Sequence, residues 1–446
     1  MPGALGALAM LVVVVAGCAA PVASTTPVPT SSTAVPTASP TAPTLVPPTQ
    51  APSPRSPGPS SSPWTGSADT LAWHRLGVIP AARVNGVVGF DEGYVALEGS
   101  TGSVWFSADG ASWKNVKLPF EGDRSEATDA NGLLGRVIAT NGRELLVVGG
   151  YSHTPCGLTE PDSTGGGPDC SISPIAWISD DGVAWRRAYT GHGKGELSEF
   201  VAAWPLAEGG WAAALSDWSG ESLGGKMLWH SADGMSWAAT VQVSPAGWEG
   251  YDRAPVGVES ASGRYLLAAS GWQPDTTLAT TSDGASWSVL DGFPGRGAEV
   301  FVGTAPAGDR STWVLAGRNG WDVDAGRAGA PTIWSSSDGT SWKSQKLPVG
   351  PPAVAEDPED TVSVTAVTDL VLSDRGYVAV GAESREGGGA RHETWVSDDG
   401  VAWTQLPQAE RPQFDYGPRL VADGPAGVVG ISGSRAAGEQ VAWLLR

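Results

Sequence analysis

No stretch of the 446 residues repeats apolar side chains at i, i+3, i+4 and i+7, which argues against any architecture built on long amphipathic helices. Basic residues are scarce. Lys and Arg number 27 against 47 Asp and Glu, the formal net charge is −20, and no basic run is present. A groove for a phosphate backbone needs clustered cations, so nucleic acid is not expected as a partner. The acidity suits the solubility of a secreted domain. Cysteine is rarer still: Cys18, Cys156 and Cys170 are all there is. The five histidines, His74, His153, His192, His230 and His392, have no metal-ligand spacing, so neither a metal nor a cofactor is expected. His230 precedes one of the repeats described below and reads as strand packing. No G-x-S-x-G, H-E-x-x-H or phosphate-binding glycine loop occurs in a fitting context, and no catalytic residue is nominated. The longest apolar run, residues 3–17, is too short to cross a bilayer.

What the chain has in abundance is punctuation. Gly (61) and Pro (35) together make up about a fifth of it, as suits many short strands joined by turns. The run at 3–17 leads into Val15-Ala16-Gly17-Cys18 and reads as a signal-peptide core. That junction resembles the lipobox of bacterial lipoproteins, although no Lys or Arg precedes the apolar core. The resemblance implies removal of residues 1–17 and lipidation of Cys18, which places the chain on the outer face of the cell membrane. The lipid would be its only membrane contact. Residues 19–63 are almost wholly Ala, Pro, Ser, Thr and Val, with Arg55 their only charge. They cannot bury enough apolar surface to fold, and residues 18–66 read as a disordered tether. At roughly 3.1 Å per residue it reaches on the order of 100 Å.

The remainder, 67–446, contains six copies of one pattern: Ser/Thr, any residue, Asp, Gly, two residues, Trp. They are SADGASW (107–113), SDDGVAW (179–185), SADGMSW (231–237), TSDGASW (281–287), SSDGTSW (336–342) and SDDGVAW (397–403). Their aspartates are Asp109, Asp181, Asp233, Asp283, Asp338 and Asp399, spaced 72, 52, 50, 55 and 61 residues apart. Such scatter suits loop insertions on a fixed four-strand unit. Asp-Gly is hairpin-turn chemistry, with Gly at positive φ and the carboxylate accepting turn N–H groups. A strand with Trp precedes most turns (Trp105, Trp177, Trp229, Trp334, Trp395), and the motif Trp follows. Upstream lie two more apolar runs per unit, such as GRVIAT (135–140) and ELLVVGG (144–150). Four strands per unit, repeated, is a propeller blade.

The two ends supply the count. Residues 418–432 repeat the first two strands, and QVAWLLR (440–446) matches a third. LAWHRLG (71–77) reads as a fourth strand without a partner before it. Joined, they make a seventh sheet, with Trp443 and Trp73 in the repeat positions. The expected fold is therefore an all-β, seven-bladed propeller of four-stranded blades, closed by 71–77 pairing with 440–446. A ring with no free edge is expected to be a monomer.

The repeated heptapeptide resembles the Asp-box, or BNR, repeat of sialidases, xyloglucan hydrolases, sortilin-like receptors and the photosystem II assembly factor. The usual family form has one more residue between Asp and Gly. The resemblance covers about 71–446 and implies that the six aspartates are structural. In the sialidases it would further imply three arginines for a substrate carboxylate, a Tyr nucleophile and an acid/base Asp. Arg136, Arg253 and Arg419 lie near the starts of inner strands, and Tyr416 is close to Arg419 and Asp415. No Arg-Ile-Pro motif appears, however, and sialidase domains have six blades.

Insertions concentrate on the face opposite the Asp-Gly turns. Trp218, Trp248, Trp272 and Trp321 fall in those loops, accompanied by Asp252, Arg253 and Asp322. Aromatics beside carboxylates suit stacking on sugar rings, so these residues, with Tyr416 and Arg419, are the candidate ligand-binding set. The bland alternative is that each Trp pins its own loop. The resulting expectation is a non-enzymatic binding or scaffold module for a glycan or protein partner; the alternative is a glycoside hydrolase, sialidase-like or xyloglucanase-like, with carboxylates in the central depression. Cys156 and Cys170 bound a Gly/Pro/Ser/Thr-rich loop and read as a disulfide worth roughly 3 kcal/mol.

Overall fold

The computed structural model describes residues 64, 70–99, 102–120, 133–152, 172–190, 198–206, 209–217, 224–242, 256–259, 264–270, 276–281, 288–294, 297–304, 312–320, 329–349, 364–384, 391–407, 417–433 and 439–446. Among them there is no helix, and 28 strands form seven antiparallel four-stranded sheets. The first strand of each blade is innermost. These are Val84–Phe90, Leu133–Thr140, Ser198–Pro205, Val256–Glu259, Ala298–Thr304, Val364–Ser373 and Leu420–Gly424, for blades 1 to 7. Each packs against its counterpart in the next blade, and the last against the first. The sheets thus form a closed ring, a seven-bladed β-propeller.

Closure is as the sequence implies. Trp73–Ile79 pairs with Gln440–Leu445, with Trp73 opposite Leu445 and Arg75 opposite Trp443. Ala72 and Arg446 exchange backbone hydrogen bonds (3.1 and 3.2 Å) and extend the ladder by one step. In blade 2, Trp177 faces Arg187 and Trp185 lies two residues earlier. Trp443 and Trp73 occupy the same register, so the first of the described strands completes the last blade.

The blades grade outward in polarity. Second and third strands such as Gly93–Glu98 and Ile172–Ser179 are buried along their whole length. Outer strands are short and charged: Lys114–Lys117 exposes three of four residues, and Lys343–Lys346 all four. Charge on an open strand edge discourages pairing with other molecules.

The apolar core is divided into seven clusters, one at each blade interface. Trp177, Trp211, Trp334 and Trp395 are among the largest fully buried side chains. The indole N–H groups of Trp177 and Trp395 donate to the carbonyls of Pro119 (2.8 Å) and Pro348 (2.7 Å) at equivalent places in two blades.

A third aromatic position opens the second strand in five blades: Tyr94, Trp211, Tyr265, Trp313 and Tyr377, each opposite the repeat Ser or Thr. Two of them also tie neighbouring blades. The Tyr94 hydroxyl donates to the Gly427 carbonyl (2.7 Å) and accepts from the Ala426 N–H (3.0 Å), both in blade 7. The Tyr377 hydroxyl donates to the Thr312 carbonyl of blade 5 (3.1 Å).

Trp64, which composition places in the tether, is 2% exposed and belongs to the cluster between blades 6 and 7. Its indole N–H donates to Ser373 Oγ (3.2 Å), and the Arg375 guanidinium sits 3.8 Å from its ring centroid.

Tyr94→Phe keeps the ring volume and strands two blade 7 backbone groups. It is expected to cost about 1–3 kcal/mol in urea unfolding, with the loss concentrated at the junction of blades 7 and 1 in hydrogen exchange.

Candidate functional site

The two ends of the ring carry different chemistry. One end holds the turns between third and fourth strands. Five of the six repeated turns are described, and they share one geometry. A single oxygen of Asp109, Asp181, Asp233, Asp338 and Asp399 accepts the N–H groups two and three residues on, at 2.6–2.9 Å. The repeat serine hydroxyl donates to the same oxygen, at 2.9–3.2 Å. The following glycine has φ between 67° and 74°, which a Cβ would strain. In four turns the motif indole N–H closes the loop by donating to that glycine's carbonyl, as Trp185 does to Gly182 (3.0 Å). The backbone N–H donors hold Asp109, Asp181 and Asp338 below the ordinary carboxylate value. At Asp233 and Asp399 burial is the largest single influence and pushes upward, and the combined hydrogen bonds outweigh it. All five carboxylates are occupied in stabilising their own turns. Asp283 lies outside the described residues.

The other end holds the starts of the inner strands, and there a second repeated device appears. Five inner strands carry a bulge one to four residues from their start. Asn85, Arg136, Val201, Phe301 and Thr368 are the inserted residues. Blade 7 has an equivalent, where the Arg419 N–H donates to the same Ile431 carbonyl that lies opposite Leu420 (2.9 Å). A bulge re-aims one side chain out of the pleat. Asn85, Arg136 and Thr368 are exposed, and Val201, Phe301 and Arg419 partly so, while Val84, Gly135, Phe200, Val300 and Val367 just before them are buried. Because the inner strands surround the axis, the bulges rim the axial mouth.

Several rim residues also bind one blade to the next. Arg136 of blade 2 makes a two-pronged ion pair with Glu199 of blade 3 (2.9 and 3.2 Å). The Glu199 side chain is 3% exposed against 43% for Arg136, so the acid is consumed and the base remains reachable. Thr368 Oγ1 donates to the Arg419 carbonyl (2.9 Å) across blades 6 and 7. Arg419 in turn donates from Nη2 to the Val84 carbonyl of blade 1 (2.8 Å). Burial lowers the Arg419 guanidinium from its ordinary value, and the like charge of Arg83 lowers it further. Its Nε is buried with no hydrogen-bond partner among the described residues. In blade 5, Glu299 is paired with Arg318, whose guanidinium lies 5.8 Å from the Phe301 ring centroid. The rim therefore presents fixed donors on one arc and apolar Val201 and Phe301 on another.

Asp369, next to the Thr368 bulge, is the exceptional acid. It is partly buried, with Oδ1 accepting from its neighbour Leu370 N–H and Oδ2 from Val421 N–H of blade 7 (both 2.8 Å). Burial pushes its pKa up from 3.8 to about 7, against the opposing pull of the Val421 and Leu370 amides.

Of the sequence-derived ligand set, only Arg419 is described, and it stands at the mouth as its position implies. Arg136 joins it there. Trp218, Trp248, Trp272, Trp321, Asp252, Arg253, Asp322 and Tyr416 lie outside the described residues, as do Cys18, Cys156 and Cys170. His230 packs in its strand, its ring stacked at 6.4 Å on Tyr265 of the next blade, and burial holds it below the ordinary histidine value. Asn85, Val201, Phe301, Thr368 and Asp369 went unnoticed in the sequence, where nothing distinguishes a bulge from the strand around it. Among the described residues no cluster of three or more His, Cys, Asp or Glu could hold a metal.

No family model matches the chain, and no curated protein matches it. Solved structures with similar backbones include the sialidase of Trypanosoma rangeli (14% identity, TM-score 0.44, 69% of this chain and 52% of that one). This chain thus aligns with about half the length of that enzyme. A polysaccharide lyase of family PL25, an ulvan lyase, matches at 12% identity and TM-score 0.47, over 82% of this chain and 95% of that one. Virginiamycin B lyase from Staphylococcus aureus matches at 9% identity and TM-score 0.45, over 84% and 99%. With every one of these scores below 0.5, the blade count rests on the strand pairing of this chain itself.

The raised Asp369 fixes the sign of a pH effect. Its folded pKa lies above the unfolded value, so its contribution to stability is complete below pH 3.8 and is lost as pH rises through about 7. Between about pH 4 and pH 7 the wild type should lose stability relative to Asp369→Asn, at a slope approaching about 1.4 kcal/mol per pH unit that levels off above pH 7. Parallel urea-unfolding curves for the two across that range would exclude it.

Proposed function

We propose that the chain is an exported, lipid-anchored binding or scaffold module, acting as a monomer, that recognises a glycan or protein partner through the axial mouth and the loops around it. Its repeated turns are Asp boxes with a purely structural role. The observation that carries this reading is the rim of bulges: donor side chains fixed at the mouth by blade-to-blade hydrogen bonds, with the nearby acids Glu199 and Glu299 already paired to arginines. A preorganised rim of this kind binds without first paying the entropy of ordering long side chains. The tether supports display. Residues 18–63 precede Trp64, and Trp64 meets the ring at the Ser373–Gly376 turn, on the end opposite the mouth.

One observation favours the hydrolase alternative. A carboxyl group with a pKa near 7 beside the mouth, as Asp369 has, suits a general acid. A hydrolase also needs a second carboxylate roughly 5–10 Å away across the substrate.

The full exported chain, screened against a glycan array and immobilised exported proteins, should give a saturable ligand. Replacing Trp218, Trp248, Trp272 and Trp321 together by Ala should abolish that binding and leave the melting temperature nearly unchanged. Arg419→Ala should weaken it about tenfold, the loss of one charge-assisted hydrogen bond. Collapse of melting in the Trp variant would mark those residues as loop pins. Sugar release by the wild type that Asp369→Asn abolishes would establish the hydrolase instead.

A further inference from the structure

Six blades carry a repeated turn between their third and fourth strands; blade 7 does not, because its third strand, Gln440–Leu445, and its fourth, Trp73–Ile79, come from distant parts of the sequence. The turns do more than connect strands. In four of the described ones the glycine lies so close to the preceding blade that an added Cβ would touch it. Gly182 of blade 2 would meet Val95 of blade 1 at 3.0 Å, Gly400 of blade 6 would meet Val314 of blade 5 at 2.8 Å, and Gly110 of blade 1 would meet Val429 of blade 7 at 2.8 Å. Gly234 of blade 3 presses on Ile178 of blade 2 in the same way. Val95, Val314 and Val429 occupy one register position, in the second strand just after its opening. The equivalent residue in blade 6 is Val378, two residues after Gly376. Among the described residues no turn of blade 7 covers it.

We infer that Trp64 takes the place of this missing turn and latches the seam between blades 6 and 7. It is buried in the same cluster as Val378, Val396 and Val428, which flank the seam from both sides. A Cβ on Gly376 would lie 2.9 Å from the Trp64 ring, so the indole rests directly on the hairpin of blade 6. Ser373 fixes the ring by accepting its N–H, and Arg375 covers its outer face. Trp73, the motif Trp of blade 7, has no turn glycine to bond. Its indole N–H donates instead to Thr394 Oγ1 of blade 6 (2.9 Å), a second tie across the same seam. Leu71, between the two tryptophans, is buried in the same cluster. Trp64, Leu71 and Trp73 thus do for the seventh interface what a repeated turn does for others. The seam that closes the ring is held at this end by these three side chains, and displacing them opens the ring there first.

The test uses the full chain carrying Trp64→Ala and Trp64→Phe. Trp64→Ala should lower the melting temperature by about 5 °C or more. Amide exchange in Trp73–Ile79, Leu420–Gly424 and Val364–Ser373 should rise at least tenfold, with blades 2 and 3 changing little. Trp64→Phe should recover part of both effects, and millimolar indole added to Trp64→Ala should recover part of the exchange protection by refilling the seat. If Trp64→Ala does not fold, the same selective pattern in Trp64→Phe decides the matter. Unchanged melting, exchange that rises evenly around the ring, or failure of indole to protect the seam would each overturn the assignment.

Discussion

Everything in this molecule depends on apolar contact between sheets that no strand ladder joins. Each blade is too thin to bury its own second and third strands, so its faces must be covered by its neighbours. Seven interfaces carry seven separate cores, and each has a buried indole or phenol ring. An open row of such blades would leave two apolar faces in water. Closure removes both, and it requires the wedge angle of every interface to sum to one full turn. Broad, rigid side chains at fixed register, such as Trp177 and Trp395, set that angle more firmly than aliphatic ones could.

The same constraint separates architecture from chemistry. The repeated aspartates are spent on their own turns, and the turn glycines are pressed against the adjacent blade. That end of the ring has little freedom to acquire a ligand without losing an interface. The inner strand starts are under a different rule. There the strands have risen past the apolar wedge, and a bulge can turn one residue toward the axis while its neighbours stay buried. The identities found at these positions, Asn85, Arg136, Val201, Phe301, Thr368 and Arg419, share no property. Variation at a position whose backbone geometry repeats is what a recognition surface on a fixed scaffold requires.

The legibility of the sequence followed from which of these two parts was being read. The turns need particular atoms: a carboxylate, a glycine at positive φ, an indole donor. Six near-identical heptapeptides therefore announced the blade and its register. The pairing of Trp73–Ile79 with Gln440–Leu445 was visible because each end carried half of a known unit. The bulges were not visible, since Val-Asn-Gly or Val-Thr-Asp reads as ordinary strand and the inserted residue is recognised only against its partner. The opening aromatics Tyr94 and Trp313 went unnoticed because Trp and Tyr alternate there with Leu145 and Val428. Trp64 was hidden by its surroundings. A single aromatic after some forty-five residues of Pro, Ser and Thr looks like tether, and only the empty place in blade 7 gives it a role.

A ring built from repeats has one interface unlike the others, because a linear chain must start and stop somewhere. Pairing the terminal strands in one sheet moves the discontinuity inside a blade, where backbone hydrogen bonds span it. It does not supply the turn that the neighbouring blade expects to find. That deficit falls on the seam between blades 6 and 7, and the same seam bears the half-buried Asp369, the Thr368 tie and the Trp73 tie. Polar cross-links thus accompany the place where the repeated turn is missing. Thr368 and Arg419, two of the residues that rim the mouth, meet across this same seam, and Asp369 beside them holds the Val421 amide of the next inner strand.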